Sequence, residues 1–402
     1  MSTPFEPGAP AGQGFIPLCV PEVRGHEWAY IKECLDTGWV SSVGKYVTRF
    51  EEQIATRLGA GQAVAFTSGT AALHVALMLA EVGPDDEVVL PSLTFIAPAF
   101  AVRYLGAWPV LADVDPRHWQ MDVEQVRGFL TEGCRRQGGQ VINQATGRRV
   151  KALLPVDLMG HPADMDPFME LAGEFGLTVV EDATESLGAL YKGRPAGRLG
   201  HTGVLSFNGN KVITTGGGGM LVTDNPALAN RARYLSTQAK DDPLEYVHNT
   251  VGFNYRLSNI QAAMGCAQLE SLNDYVAAKR RIQQTYREGL AGVPGLGFME
   301  QAPWAGSACW MSPILVDPAA YGQDSRSLLK ALHGQGIQTR PLWQPLHQSP
   351  ALAGSFSLGC PVSERLYQQG LCLPCSVGLT PSDQELVIGA IAAGQGGGSQ
   401  AA

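Results

Sequence analysis

A lysine followed by four consecutive glycines is the first feature of this sequence that suggests chemistry. Lys211 lies in SFNGNKVITTGGGGM, residues 206–220, at the end of the apolar run GVLSFN. Glycines beside a lysine often bind phosphate, but the P-loop pattern fails because Asn210 separates Gly209 from the lysine. The dinucleotide pattern G-x-G-x-x-G fails too, since Leu221 stands where its third glycine is needed. At a strand end Lys211 is instead a candidate nucleophile or base, and the alternative is a surface lysine in a turn.

A better candidate for an anion site precedes this stretch. TSGTAALH, residues 67–74, follows the strand-like run AVAF and opens a helical pattern. Gly69 and Thr70 would present backbone N–H groups at a helix N-terminus, where the unpaired donors and the helix dipole favour an anion. The alternative is an ordinary helix start that is capped by Ser68.

Two further side chains follow apolar runs. Asp182 ends the buried strand predicted in LTVVEDA, where a carboxylate is costly unless a cation accompanies it. That cation could be a protonated ring nitrogen of a cofactor, whereas a salt bridge or a turn cap is the alternative. Phe95, in PSLTFIAP, follows another predicted strand and is placed either to stack on a flat ring or to pack in the core.

Together these residues match the needs of pyridoxal phosphate. This cofactor requires an anion site for its phosphate, a carboxylate for its pyridinium nitrogen and a lysine for its aldehyde. The chain offers them in the order Gly69 and Thr70, Asp182, Lys211. Each assignment alone is ambiguous, but their combination favours this one chemistry.

The elements that must position these residues form an alternating pattern. From about residue 50 to 240, apolar strand-like runs alternate with helical periods, which predicts helices packed on a mostly parallel sheet. Ligands of such sheets bind beyond the carboxyl ends of the strands. From about residue 257 a long helical stretch leads into shorter strands and helices. We therefore predict a large α/β domain over 15–255, a smaller α+β domain over 256–392, and flexible tails at 1–14 and 393–402.

Composition limits the possible partners. The chain has 402 residues, 45% of them hydrophobic, and 29 basic against 37 acidic residues give a net charge of −8. This balance argues against nucleic acid or a membrane surface as the main partner. We see no apolar run of transmembrane length, no secretory signal and no metal-binding pattern. Eight cysteines are scattered along the chain, and only CLPC pairs two of them closely. These features predict a cytoplasmic protein without structural disulfides.

Seven motifs carry a specific resemblance when they are taken together: TSGTAALHVAL, PSLTFIA, GHPADMD, VVEDATESLGA, SFNGNKVITTGGGGM, GFNYRLSNIQAAMGCAQLE and RPLWQPLH. Over about residues 16–391 the sequence resembles the fold-type I pyridoxal-phosphate enzymes of the nucleotide-sugar aminotransferase (DegT/DnrJ/EryC1/StrS) family. Within it, the N-terminal run and QATGRRVKALLPVDLMGHPADMD look similar to the subgroup that aminates 4-keto-6-deoxy sugars for bacillosamine- and legionaminic-acid-type products.

The resemblance implies a role for each matching residue of the cofactor site. Lys211 matches the lysine that binds the cofactor covalently and then shuttles the proton. Asp182 matches the partner of the pyridinium nitrogen, and Phe95 matches the aromatic ring that stacks on the cofactor. The remaining cofactor contacts implied in the same subunit are Gly69, Thr70, Ser206 and Glu185.

Other matches imply a dimer and a sugar site. Asn254, in GFNYR, matches an asparagine that reaches the phosphate of the partner subunit's cofactor, so a homodimer with shared active sites is implied. The residues implied near the sugar nucleotide are His347, Trp343, Arg340, Ser41 and Ser42. For Trp343 and Arg340, ordinary packing and a surface charge are the alternatives.

The implied reaction moves an amino group from L-glutamate to a nucleotide-linked 4-keto-6-deoxy (acetamido) sugar. The product would be a 4-amino-4,6-dideoxy sugar nucleotide for surface-glycan or nonulosonic acid biosynthesis. A dehydratase branch of the family has histidine at the lysine position, so Lys211 favours transamination. The alternatives are a 3-keto-sugar aminotransferase and a non-catalytic regulator that binds pyridoxal phosphate or a sugar nucleotide. The choice among UDP, GDP and dTDP is left open.

Overall fold

The computed structural model describes residues 14–242 and 244–395. Its strands are β1 (Gln62–Phe66), β2 (Glu87–Pro91), β3 (Trp108–Ala112), β4 (Cys134–Gln137), β5 (Gln140–Asn143), β6 (Arg149–Leu153), β7 (Thr178–Asp182), β8 (Leu190–Tyr191), β9 (Arg194–Pro195), β10 (Thr202–Ser206), β11 (Gly219–Thr223), β12 (Leu296–Phe298), β13 (Ala305–Gly306), β14 (Ser312–Val316), β15 (Arg340–Pro341), β16 (Phe356–Ser357) and β17 (Gly370–Leu373). Its α-helices are α1 (Glu27–Thr37), α2 (Lys45–Leu58), α3 (Gly69–Leu79), α4 (Ala97–Tyr104), α5 (Val123–Gly128), α6 (Met165–Phe175), α7 (Pro226–Ser236), α8 (Asn259–Glu270), α9 (Leu272–Leu290), α10 (Pro318–Tyr321), α11 (Ser325–Gly334), α12 (Pro361–Gln369) and α13 (Pro381–Ala393).

The large sheet has the strand order β1-β11-β10-β7-β6-β2-β3-β16, and the hairpin of β4 and β5 joins it at β6. The run from β10 to β16 is parallel, whereas β11 lies antiparallel between β1 and β10. Alternate residues of β1 enter two separate cores. Ala63 and Ala65 pack with α2 and α8, and Val64 and Phe66 pack with α3 and α7. The predicted mostly parallel sheet with helices on its faces is therefore confirmed.

A second sheet forms in the C-terminal part of the chain. It is antiparallel, with the order β12-β14-β17-β15, and α9, α11 and α13 pack beside it. The short strand β16 instead returns to the large sheet beside β3. We keep 15–255 and 256–392 as a proposed division into domains. The predicted tails lie outside the described residues, apart from residue 14 and residues 393–395.

The helical stretch predicted from residue 257 differs from the expectation of one long helix. It consists of α8 and α9, which meet at Ser271. The N–H group of Ser271 bonds to the carbonyl oxygen of Gln268, three residues back, which tightens and ends α8. Ser258 begins α8 with a capping box that it shares with Gln261. Among the described residues, no helix is both long and apolar enough to cross a membrane.

Candidate active site

A cavity of about 430 Å³ opens at the carboxyl ends of β7 and β10, beside the N-terminus of α3. This is the edge at which a parallel sheet is expected to bind its ligand. The predicted residues that line this one cavity are Gly69, Thr70, Phe95, Asp182, Glu185, Ser206, Lys211, Arg340 and Trp343. Residues that are 274 positions apart in the chain are thus brought to one site.

The N-terminal turn of α3 forms one wall. Ser68 caps the helix, because its hydroxyl oxygen accepts a hydrogen bond from the N–H group of Ala71. The N–H groups of Gly69 and Thr70 precede the first possible intrahelical bond, so they remain available to an anion. A Cβ atom on Gly69 would stand 3.0 Å from the Cβ atom of Ser206. The turn is a capped helix start whose free N–H groups are also suited to bind an anion, and we call it the anion cradle below.

The glycine run after the lysine supports this turn from behind. A Cβ atom on Gly219 would lie 2.4 Å from the carbonyl oxygen of Ser68 and 2.6 Å from the nitrogen of Gly69. Both neighbours are backbone atoms, so neither can swing away as a side chain would. Gly219 begins β11 at this point, and only a residue without a side chain lets the strand approach the turn so closely.

Asp182 is a buried carboxylate that faces the cavity. It ends β7 and accepts a hydrogen bond from the N–H group of Thr184 at 3.1 Å. Burial raises the pKa of Asp182, although the nearby Lys211 opposes the shift. In the described part of the chain no cationic side chain lies within 4 Å of this carboxylate. It is therefore suited to accept a cation that a ligand brings into the cavity.

Lys211 is held between a carboxylate and an indole ring. Its Nζ atom lies 3.7 Å from the Oε1 atom of Glu185 and 4.0 Å from the centre of the Trp310 ring. The other oxygen of Glu185 accepts a hydrogen bond from the N–H group of Met159 at 2.8 Å. Burial raises the pKa of Glu185 to about 7, in spite of the neighbouring ammonium. Glu185 can therefore gain and lose a proton near neutral pH, next to the lysine.

Trp310 is a part of the site for which the sequence offers no local signal. Its indole N–H group donates to the carbonyl oxygen of Asn210 at 2.7 Å, so it is anchored to the residue before Lys211. Trp343 stacks on Trp310 at a centroid distance of 6.2 Å, and Phe95 meets Trp343 edge to face at 6.4 Å. Trp310 precedes β14, about 100 residues after the lysine, and only the packing of the two sheets places it here.

The residues present fit pyridoxal phosphate. The helix N-terminus suits its phosphate, the isolated carboxylate of Asp182 suits a pyridinium nitrogen, and Phe95 keeps 52% of its surface exposed at the cavity wall. Lys211 is the lysine of this cavity, which is where the aldehyde must be bound. The geometry therefore supports the cofactor that the motifs imply.

Four of the predicted residues lie outside this cavity. His347 is held between the hydroxyl of Ser92 at 2.7 Å and the carboxylate of Glu364 at 2.9 Å. Ser42 lies in the loop before α2, together with the exposed Ser41. Asn254 is exposed, which agrees with a role towards a second subunit. The roles of all four stay predictions.

Comparison with known proteins gives a consistent result. The model of the DegT/DnrJ/EryC1/StrS aminotransferase family matches residues 21–392. The chain is 39% identical to a GDP-perosamine synthase of Caulobacter vibrioides, over 94% of this chain and 97% of that protein. It is also 39% identical to EpsN of Bacillus subtilis, named a putative pyridoxal phosphate-dependent aminotransferase, over 93% and 94% of the two chains. The crystal structure of DesI in the presence of its TDP-sugar product superposes with a TM-score of 0.84 at 30% identity, covering 97% of this chain and 96% of that one.

Proposed function

We propose that this chain, which belongs to the DegT/DnrJ/EryC1/StrS aminotransferase family, transfers an amino group from L-glutamate to a keto sugar carried on a nucleoside diphosphate. It is a pyridoxal-phosphate-dependent aminotransferase of the fold-type I class. One observation carries the proposal. The amine of Lys211 stands beside Glu185 in a cavity that also contains a buried carboxylate and a helix N-terminus.

The cofactor, when bound, supplies an electron sink and carries the amino group between the two substrates. The chain's own residues bind it and move protons around it. The N–H groups of Gly69 and Thr70 hold its phosphate, and Asp182 keeps its ring nitrogen protonated. Lys211 moves a proton to and from the substrate carbon, and Glu185 stabilises the lysine ammonium between these transfers. Trp310 covers one side of the amine and limits access of water to it.

We propose that the sugar nucleotide binds against Arg340 and Trp343. Both line the same cavity, and a guanidinium and an indole suit a diphosphate and a flat base. Two of the similar proteins are named for nucleotide-linked sugars, a GDP-sugar in one case and a TDP-sugar in the other. We propose a 4-keto-6-deoxy sugar, with or without an acetamido group, as the acceptor. A 3-keto sugar is the second candidate.

We also propose a homodimer with shared active sites. Large apolar side chains stay exposed on α1 and on the segment 244–251, among them Trp28 at 76%, Leu244 at 81% and Val251 at 79%. Exposed apolar side chains in this number favour a protein partner over solvent. The same part of the chain contains the exposed Asn254. We propose that a second copy brings its Asn254 to the phosphate site, as the resemblance to the family implies.

The first prediction tests the role of Lys211. We expect Lys211→Ala to abolish turnover and the absorbance change that L-glutamate causes in the yellow holoenzyme, because no other lysine lines the described cavity. Stopped-flow absorbance with glutamate measures the first half of the reaction separately from the sugar. Lys330→Ala, on the exposed face of α11, is the matched control and should behave as wild type. Normal turnover by Lys211→Ala would refute the assignment.

A panel of keto sugars tests the acceptor. The glutamate-treated enzyme is mixed with 4-keto and 3-keto sugars on UDP, GDP and dTDP, and the products are identified by mass spectrometry. We expect amination of 4-keto-6-deoxy sugars. Conversion of 3-keto sugars alone would replace the 4-keto proposal. A protein that binds sugar nucleotides but never responds to glutamate would be the non-catalytic regulator.

A further inference from the structure

Behind the catalytic cavity lies a buried ammonium group without a carboxylate partner. Lys279 of α9 is buried, and its Nζ atom donates to the carbonyl oxygen of Trp310 at 3.0 Å. Its other neighbours are two sulfur atoms, Sγ of Cys19 at 3.3 Å and Sγ of Cys375 at 3.6 Å. Within the described ranges no carboxylate forms an ion pair with this lysine. A buried ammonium is stabilised by an anion nearby, and the two thiols are the neighbouring groups that can supply one.

The backbone holds the two cysteines side by side. The N–H group of Cys375 donates to the carbonyl oxygen of Leu18 at 2.7 Å, and the N–H group of Val20 donates to the hydroxyl of Ser376 at 3.0 Å. Two extended segments that are about 350 residues apart in sequence are thereby joined on either side of the sulfur atoms. Both sulfur atoms contact the same Nζ atom, at 3.3 Å and 3.6 Å, so they lie no more than about 6.9 Å apart.

The two thiols are electrostatically unlike. A hydrogen bond with Cys375 and the charge of Lys279 lower the pKa of Cys19 to about 5, against the effect of its burial. The same hydrogen bond and its own burial raise the pKa of Cys375 well above the ordinary value. Cys19 is half-buried, whereas the other cysteines are buried and burial raises the pKa of each of them. Cys19 is also the more exposed of the two and lies closer to the Lys279 ammonium, at 3.3 Å against 3.6 Å, so we assign the thiolate to Cys19 and the thiol to Cys375.

We propose that Cys19 and Cys375 form a peroxide-reactive thiol pair that closes to a reversible disulfide next to the active site. Cys19 is the attacking residue and Cys375 the resolving residue. The oxidant in this reaction is hydrogen peroxide or a small organic hydroperoxide. Neither cysteine is used in the transamination proposed above, so the inference does not depend on that function.

The chemistry is balanced in two steps. The Cys19 thiolate attacks one peroxide oxygen, so that an S–O bond forms, the O–O bond breaks and the leaving hydroxide takes a proton from solvent. The Cys375 thiol then attacks the sulfur of the resulting sulfenic acid. An S–S bond forms, the S–O bond breaks, and water leaves with the thiol proton. Two thiols are oxidised, and one peroxide is reduced to two molecules of water.

The position of the pair connects it to Lys211. Sγ of Cys19 lies 3.6 Å from the carbonyl oxygen of Asn210, and Sγ of Cys375 lies 3.6 Å from that of Trp310. These are the two residues that flank or cover the catalytic amine. Closing the disulfide also removes the anion of Lys279, so the buried amine loses its counter-charge and its contact with the carbonyl oxygen of Trp310 should change. Oxidation should therefore lower the activity, and reduction should restore it.

Peptide mapping of the peroxide-treated holoenzyme tests the proposal. After treatment with about one equivalent of hydrogen peroxide, we expect a Cys19–Cys375 linked peptide pair, lighter by two hydrogens, that dithiothreitol releases. The link should be absent in Cys19→Ser and in Cys375→Ser, and it should persist in the control Cys134→Ser. A Cys19 that stays reduced, that stops at a higher oxide, or that links to another residue such as Lys279 would overturn the proposal.

A second measurement examines the thiolate directly in the untreated wild type. At pH 6.5 we expect iodoacetamide to label Cys19 at least roughly tenfold faster than any other cysteine, because the thiolate is the reactive form. Labelling of Cys19 as slow as that of Cys372 would contradict the assigned thiolate. Both experiments measure the masses of peptides, so neither requires that the sugar acceptor be known.

Discussion

At the scale of single residues, the carboxyl group of Glu185 is the ionisable group next to the amine of Lys211. It is buried, it lies 3.7 Å from the lysine amine, and the Met159 N–H group fixes its second oxygen. Its pKa of about 7 makes it the titrating partner of the amine near neutral pH. Glutamine has nearly the same shape as glutamate but no titratable proton, so a Glu185→Gln variant separates the effect of the charge from the effect of packing.

Glu185→Gln should change the pH dependence of stability in the cofactor-free protein. The pKa of this carboxyl is raised from 4.5 to about 7 on folding, so the folded state binds its proton more tightly. The resulting stabilisation is complete below pH 4.5 and is lost as the pH rises to about 7. We therefore expect the wild type to lose roughly 3 kcal/mol relative to Glu185→Gln across this window. Urea unfolding at a series of pH values measures the difference, and a constant difference would contradict it.

Asp182→Asn tests the buried carboxylate. The substitution keeps size and shape but removes the charge that we assign to the cofactor's ring nitrogen. Loss of one charge-assisted hydrogen bond should raise the barrier by about 2–4 kcal/mol, so kcat should fall roughly 30- to 1,000-fold. The matched control is Asp166→Asn, at an exposed ion pair, which should leave kcat unchanged. Equal kcat values for the two variants would exclude this role for Asp182.

At the scale of secondary structure, two elements form the anion cradle, namely β11 and α3. The strand begins at Gly219, against the Ser68 carbonyl group and the first N–H group of α3. The last glycine of the run that follows the lysine therefore has a packing role in this arrangement. It lets a strand support the helix turn that is suited to bind phosphate.

Gly219→Ala should disrupt this contact. A methyl group would stand 2.4 Å from a backbone oxygen, so strand and helix would have to separate. We expect a loss of about 3 kcal/mol in the free energy of unfolding together with weaker cofactor binding. Gly217→Ala is the control for the stability measurement alone, because its methyl group would have no neighbour closer than 3.9 Å although Gly217 lines the cavity. Chemical denaturation and cofactor titration measure the two effects, and equal stability of the two variants would refute the packing argument.

At the scale of the whole molecule, we propose that the active site is shared between two subunits. One chain contains the lysine, both carboxylates and the cradle, whereas its exposed Asn254 does not line that cavity. The exposed apolar segment 244–251 precedes this asparagine directly. Dimerisation would bury that segment and bring the asparagine of one copy to the cradle of the other.

Mixing two inactive variants tests the shared site. Lys211→Ala lacks the amine, and Asn254→Asp places a negative charge against the phosphate, so each homodimer should have little activity. A mixed dimer would contain one site with both native residues. After subunit exchange we expect about a quarter of the wild-type activity, because half of the dimers are mixed and each has one intact site of two. The absence of recovery in a sample that contains mixed dimers by native mass spectrometry would show that sites are not shared.

The sequence by itself determined the local features of this protein. Ser68 is readable as a helix cap, Asp182 as a carboxylate at a strand end, and the alternation of apolar runs as a parallel sheet, because such signals depend on residues near each other in the chain. A parallel sheet then gathers its strand ends at one edge, which is why Gly69, Asp182 and Lys211 were predicted to meet.

Only the tertiary structure decided what surrounds them. Trp310 over the lysine, the Gly219 contact with Ser68, and the group of Lys279 with two thiols each join segments about 100 to 350 residues apart. CLPC places two cysteines close together in sequence, yet the thiol nearest to Cys375 around Lys279 is that of Cys19, from the other end of the chain. Periodicity and residue spacing predict the local structure of a segment. Contacts between distant segments arise only when separate sheets and helices pack against each other, so local patterns do not predict them.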